Sequence, residues 1–245
     1  MVLFAYLRIL PERRIGLSCR WIRLRGIRFS LVEIGSKGPR CLLPLCMKTA
    51  ARRLRRQGVK QMVFPRKEEP LSCFFMQRGI CPVPLLSLYR AMAAKAALYL
   101  LQEREIPAAN ATVFLAGESA TAALRETTRQ LCPVVRYLGT ELVQDSERMA
   151  FMMQRECGIA LRQGEEAARQ ADLTLLFTRP AQEVKTAALP LYPGGEAAWP
   201  LRLHVPGLES FWEEECQENQ MAAALFLAGG VKADEIQFCS ACGNA

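Results

Sequence analysis

The chain has 245 residues, 51% hydrophobic and 23% charged, with a formal net charge of +8. That length suits one large domain or two small ones, and that apolar share supplies a packed core, which excludes general disorder. The charge is uneven: residues 1–70 hold 17 Lys/Arg against 4 Asp/Glu, and residues 71–245 hold 15 against 20. Any attraction for nucleic acid, an anionic surface or an acidic partner therefore belongs to the N-terminal part.

The opening MVLFAYLRIL is apolar but carries neither a basic leader region nor a small-residue cleavage site, and Arg8 interrupts it well short of the roughly 20 residues a membrane span needs. It reads as a strand over 2–10. GIRFSLVEI, residues 26–34, reads as a second strand through Ile27, Phe29 and Leu31, with a turn at Gly26. A helix follows from Leu45 to Gln57, with Met47, Ala50, Ala51 and Leu54 on one face and Gly58 beyond its end. Arg52, Arg53, Arg55 and Arg56 near its C-terminus suit the negative end of the helix dipole.

VKQMVFP, Val59–Pro65, predicts a short strand stopped by proline, and a helix near Leu71–Arg78 ends at Gly79 before the apolar ICPV. Pro84–Glu103 reads as one long helix with Leu85, Tyr89, Met92, Ala93, Ala96 and Leu100 at three- and four-residue steps. Arg90 and Lys95 mark it as a core helix with snorkelling cations, not a membrane span. IPAAN reads as a linker.

From Ala111 strands and helices alternate. The strands are Thr112–Ala116, Val134–Leu138, Ile159–Leu161 and Leu173–Phe177; the helices are Ser119–Leu131, Ser146–Glu156 and Glu165–Gln170. This rhythm indicates βαβ units and a parallel sheet covered on both faces. Beyond Pro180 the chain is rich in Pro and Gly, with LRLHV as an edge strand, a helix over Glu213–Ala228 closed by Gly229 and Gly230, and a last strand EIQFC. The expected segments are a basic N-terminal α/β part over 1–105, a βαβ part over 106–185, and a C-terminal extension over 186–245 that packs back on the core.

In an open parallel sheet, ligands bind beyond the carboxyl ends of the strands. The loops GESAT (Gly117–Thr121), GTE (Gly139–Glu141), RQG (Arg162–Gly164) and TRP (Thr178–Pro180) fall there. The candidate ligand-binding residues are Gly117, Ser119, Thr121, Thr140, Glu141 and Thr178. A dinucleotide turn needs three glycines for a tight turn, close approach to the pyrophosphate and helix–strand packing; only Gly117 is present, and Glu118 puts a carboxylate where a diphosphate would arrive. Ser119 is placed to cap the following helix, and Glu141 stands near where ribose hydroxyls would be bound.

Over about residues 110–180 this rhythm resembles the NAD(P)-binding Rossmann class, which implies a dinucleotide at the sheet mouth. The single glycine and Glu118 favour a degenerate, cofactor-free version. The fold class expected is thus α/β, three-layered with a parallel sheet, a degenerate Rossmann-like C-terminal half following a smaller basic α/β part. The longer layout is similar to two-domain dehydrogenases of the shikimate and methylene-tetrahydrofolate kind, but their Lys/Asp catalytic set matches no residues here.

The ten cysteines sit apart among apolar neighbours, as Cys73, Cys81, Cys132 and Cys157 do, and read as reduced structural thiols. Cys239 and Cys242 form a CxxC, half of a zinc site that Cys41 and Cys46 would have to complete; two ordinary thiols is the favoured reading. The single histidine, His204, lies between apolar residues with no GxSxG elbow to serve, and no P-loop is present. Glu213, Glu214 and Glu215 suit a helix start without a metal. Taken together, the sequence predicts a cytoplasmic, non-catalytic module that binds a small molecule or nucleotide, or a partner, with no membrane role and no cofactor specified. An NAD(P)-dependent oxidoreductase with an atypical phosphate turn is the first alternative. The second is a binder of nucleic acid or an acidic partner through the basic N-terminal part.

Overall fold

The computed structural model describes residues 3–65, 69–181, 186–208 and 217–239. The chain is mixed α/β and divides into two compact units, Met1–Leu85 with Arg202–Cys239, and Leu86–Leu201. No helix among the described residues is long and apolar enough to cross a membrane.

The first unit begins with β1 (Phe4–Arg14), β2 (Gly16–Leu24) and β3 (Ile27–Lys37). Next come α1 (Leu43–Arg56), β4 (Gln61–Val63), α2 (Glu69–Met76) and β5 (Cys81–Pro82). They form a five-stranded sheet in the order β2-β3-β1-β4-β5, parallel except for β2, which runs antiparallel to β3. β3 thus lies between β1 and β2, which follow one another in sequence. To reach β2 the chain leaving β1 crosses β3 at Gly35, where an added Cβ would collide with the carbonyl oxygen of Arg14 and stand 2.8 Å from that of Arg13. Only glycine admits so close a backbone approach. One face of the sheet packs Ala5, Leu7, Val32, Ile34 and Met62 against Met47, Ala50, Ala51 and Leu54 of α1, the helix face expected from their spacing. On the other face Glu33, 8% exposed, lies 3.5 Å from Arg8 and 3.3 Å from Arg20.

β2 is not apparent in the sequence beyond its turn. It is an edge strand with Arg20, Trp21 and Arg23 exposed, so the apolar alternation that marks a half-buried strand is absent.

The second unit begins with α3 (Leu86–Ala91) and α4 (Ala93–Glu103), the single helix expected over this stretch being interrupted at Met92. The departure is local, because the Ala96 N–H still donates to the Met92 carbonyl at 2.8 Å. Then come β6 (Thr112–Gly117), α5 (Ala122–Leu131), β7 (Tyr137–Leu142) and α6 (Ser146–Cys157). β8 (Arg162–Gln163), α7 (Glu165–Arg169), β9 (Leu173–Leu176) and β10 (Ala187–Pro190) complete it. All five strands are parallel, in the order β10-β9-β6-β7-β8. Numbered within this unit, the order reads 5-4-1-2-3, so successive strands step outward from the first to the third and then return to its other side. Phe114 packs with Ala167 and Ala171 beside α7, and its ring lies over Gly139. In the same unit Tyr89 stacks on Trp199, ring centroids 3.9 Å apart.

β7 begins three residues later than its apolar start suggests. The N–H groups of Val134 and Val135 both donate to the Leu131 carbonyl in a turn closing α5, and Val134 is 40% exposed there. β10 escapes sequence reading for a different reason: it is an edge strand ending in Pro190, within a Pro- and Gly-rich stretch.

The chain then returns to the first unit as β11 (Arg202–His204), α8 (Glu218–Leu227) and β12 (Gln237–Cys239), β11 and β12 pairing antiparallel. Gln220 through Leu225 of α8 are all buried, so the helix is central to its unit, not amphipathic. The Phe64 N–H donates to Gln220 Oε1 at 3.0 Å, and Arg25 donates to the Pro206 carbonyl. Glu213, Glu214, Glu215 and Cys242 lie outside the described residues.

Candidate functional site

The strand order reverses between β6 and β9, and in parallel sheets ligands bind beyond the carboxyl ends of the strands at such a point. Gly117, the last residue of β6, stands there. Thr121 N–H donates to the Ser119 carbonyl at 2.8 Å, making a tight turn, and α5 starts only at Ala122. Ser119 therefore does not cap the helix. Thr121 does, its Oγ1 accepting from the Leu124 N–H at 3.3 Å. The loop after β7 is tied to the same turn, Val143 N–H donating to the Gly117 carbonyl at 3.3 Å and Gln144 N–H to that of Glu118 at 2.8 Å. The Phe177 N–H donates to the Ala116 carbonyl at 2.7 Å, which brings Thr178, half-buried, to the same mouth.

Apolar side chains crowd around Gly117. A Cβ on Gly117 would lie 2.9 Å from Leu124 Cδ1, 3.3 Å from Leu142 Cδ2 and 3.6 Å from Phe177 Cβ. The glycine is thus required by packing between helix and strands, and the space a side chain would take belongs to Leu124, Leu142 and Phe177. Glu118 is exposed beside the turn, and α5 carries no acidic residue in its first turn.

Of the six sequence candidates, Gly117, Ser119, Thr121 and Thr178 come together at the mouth. The remaining two lie within β7, not in the loop after it, because the strand extends to Leu142. Glu141 is exposed and pairs with Ala116; Thr140 is fully buried and pairs with Leu115 and Gln163. Among the described residues its Oγ1 has no hydrogen-bond partner. The strand-end residues that sequence reading passed over are Gln144 and Asp145, the latter with a left-handed φ of 64°. Among the described residues no group of three or more His, Cys, Asp or Glu is placed to hold a metal. His204 is a strand residue paired with Gln237, and Cys239 is exposed in β12.

Nearby, a cavity of about 360 Å³ runs between α3 and α5, lined by Ser87, Arg90, Ala123, Glu126, Thr127 and Gln130 among others. Four of its polar side chains are already engaged: Arg90 Nε donates to the Leu191 carbonyl at 2.8 Å, Thr127 Oγ1 to that of Ala123 at 2.8 Å, and Gln130 to Glu126 at 2.9 Å.

No family model matches the sequence, and no curated protein matches it. Among solved structures there is a weak likeness to the crystal structure of L-tryptophan dehydrogenase from Nostoc punctiforme, at 12% identity and a TM-score of 0.29. It covers 71% of this chain and 56% of that one, so this chain spans little more than half its length.

Away from the mouth, α5 and α6 end side by side. Arg129 bridges to Glu156 at 2.6 Å, and one turn further the Cys132 thiol hydrogen-bonds that of Cys157. Burial, and then that bond, push the Cys132 pKa up to about 11.

Proposed function

We propose that Leu86–Leu201 is a degenerate Rossmann-like unit serving as a non-catalytic ligand-binding or interaction module. The strand order supports the Rossmann-like part of this reading, since the 3-2-1-4-5 order is that of dinucleotide-binding sheets. The observation that carries the non-catalytic part is the filling around Gly117. Leu124, Leu142 and Phe177 take the space at the turn, Glu118 adds a negative charge beside it, and the second and third glycines of the phosphate turn are missing.

A thermal-shift series with NAD, NADP, their reduced forms and mononucleotides tests the reading, since a ligand at 100 times its Kd adds about 2.7 kcal/mol to stability. The expected result is no shift with any dinucleotide and no oxidation of the reduced forms. Saturable dinucleotide binding with hydride transfer to or from an added substrate would establish the oxidoreductase alternative instead.

A further inference from the structure

We propose that the first unit carries a docking surface for single-stranded nucleic acid, formed by Trp21, Arg23 and Arg28 of the β2–β3 hairpin together with the arginine-rich end of α1. The sequence shows only the helical arginines; strand register adds the rest. Arg23 and Arg28 are direct cross-strand partners, exposed on one face. Like charges so placed repel, and among the described residues no ion pair engages either of them, so an external anion would complement the pair.

Trp21 lies on that same face, two residues from Arg23, 37% exposed, with the Arg28 guanidinium 4.3 Å from its ring centroid. The end of α1 adjoins it. Ser30, the register partner of Trp21, hydrogen-bonds Gln57 just past α1 at 3.2 Å. Arg53 is near enough to Cys19, two residues before Trp21, to oppose the burial that raises its thiol pKa. Arg52, Arg53 and Arg56 are exposed, and no ion pair engages them among the described residues.

The chemistry selects among anions. Of the 17 basic residues in 1–70, 13 are arginine, whose planar fork suits phosphate and stacks on bases. An exposed indole among them gives an unpaired base a platform, whereas duplex DNA keeps its bases stacked inside. β2 is the edge strand, so no strand among the described residues pairs along its outer side.

Fluorescence anisotropy of the full chain with labelled oligo(dT) and oligo(U) tests this. Binding is expected at low salt, with log K falling against log salt by about 0.7 for each phosphate neutralised. R23Q/R28Q flattens that slope by about 1.4, two contacts at about 0.7 each, and melts no lower than the parent, because a repulsion has been removed. W21A weakens binding roughly ten-fold at unchanged slope, since stacking is not a counterion effect. No binding at low salt, unaltered affinity in W21A, or tighter binding to phosphatidylserine vesicles or to polyglutamate than to the oligonucleotides would each overturn the proposal. Should W21A fail to fold, W21F takes its place, with a smaller loss of affinity expected and an unchanged affinity again overturning it.

Discussion

The carbonyl oxygen of Arg14 occupies the position that a Cβ at residue 35 would need, so Gly35 is what allows the chain leaving β1 to cross β3 and enter β2. Alanine there must displace backbone, not a flexible side-chain end. Gly35→Ala is expected to cost about 1–3 kcal/mol in urea denaturation, the range for overpacking a close contact. Gly16→Ala is the control: its Cβ meets only the Arg14 carbonyl at 3.7 Å, ordinary contact, and its cost should be near zero. Equal effects at the two positions would remove the crossing as the cause.

Glu33 serves two arginines from one nearly buried carboxylate. Arg20 is 61% exposed and Arg8 24%, so solvent screens both pairs, and Glu33→Gln is expected to cost about 1–2 kcal/mol, less than a fully buried pair would. The loss should shrink when Arg20 is also changed to Gln. A double-mutant cycle by chemical denaturation reads the coupling, and a coupling of zero would show that the Arg20 contact contributes nothing.

The orphaned hydroxyl of Thr140 makes an unusual prediction for a candidate binding residue. Valine has the same shape without the unmet polar atom, so Thr140→Val should raise stability by about 1 kcal/mol in a thermal melt. A destabilised variant would mean that the hydroxyl has a partner after all.

The thiol pair at the ends of α5 and α6 predicts a pH dependence. The folded state holds the Cys132 pKa above the ordinary thiol value of 9.0, at about 11, so the neutral thiol is favoured by folding. The contribution is complete below about pH 9 and is lost as pH rises toward 11, because the unfolded chain ionises first. Stability should decline across that window, and Cys132→Ala should flatten the decline. At pH 8 the same shift makes Cys132 slow to react with iodoacetamide. Cys157→Ala should speed that reaction only in part, since burial is the larger cause.

How much of this was legible depended on what each residue faces. The parallel strands β6 and β9 are buried on both sides, so VFLA and LTLL stand out as apolar runs between helical patterns, and the alternation of the second unit follows. The edge strands β2 and β10 carry arginine or proline where a central strand would carry valine, which hides them. At the site, Gly117 could be located because a glycine between a strand and a helix is a local signal. That Thr121 and not Ser119 caps α5 depends on a turn of two residues, and that Phe177 and Leu142 close over Gly117 depends on strands distant in sequence. Likewise the arginines of α1 were visible as a run, while Trp21 joins them only through the pairing of β2 with β3.

The contact between Phe64 and Gln220 spans 156 residues, and Leu86–Leu201 of the second unit is threaded between them. As the chain leaves the ribosome, the strands of the middle unit have all their partners once Leu201 has emerged, whereas the first sheet still lacks α8. A chain made in this order completes its second unit before its first, and the first sheet waits for α8 with part of its apolar surface uncovered.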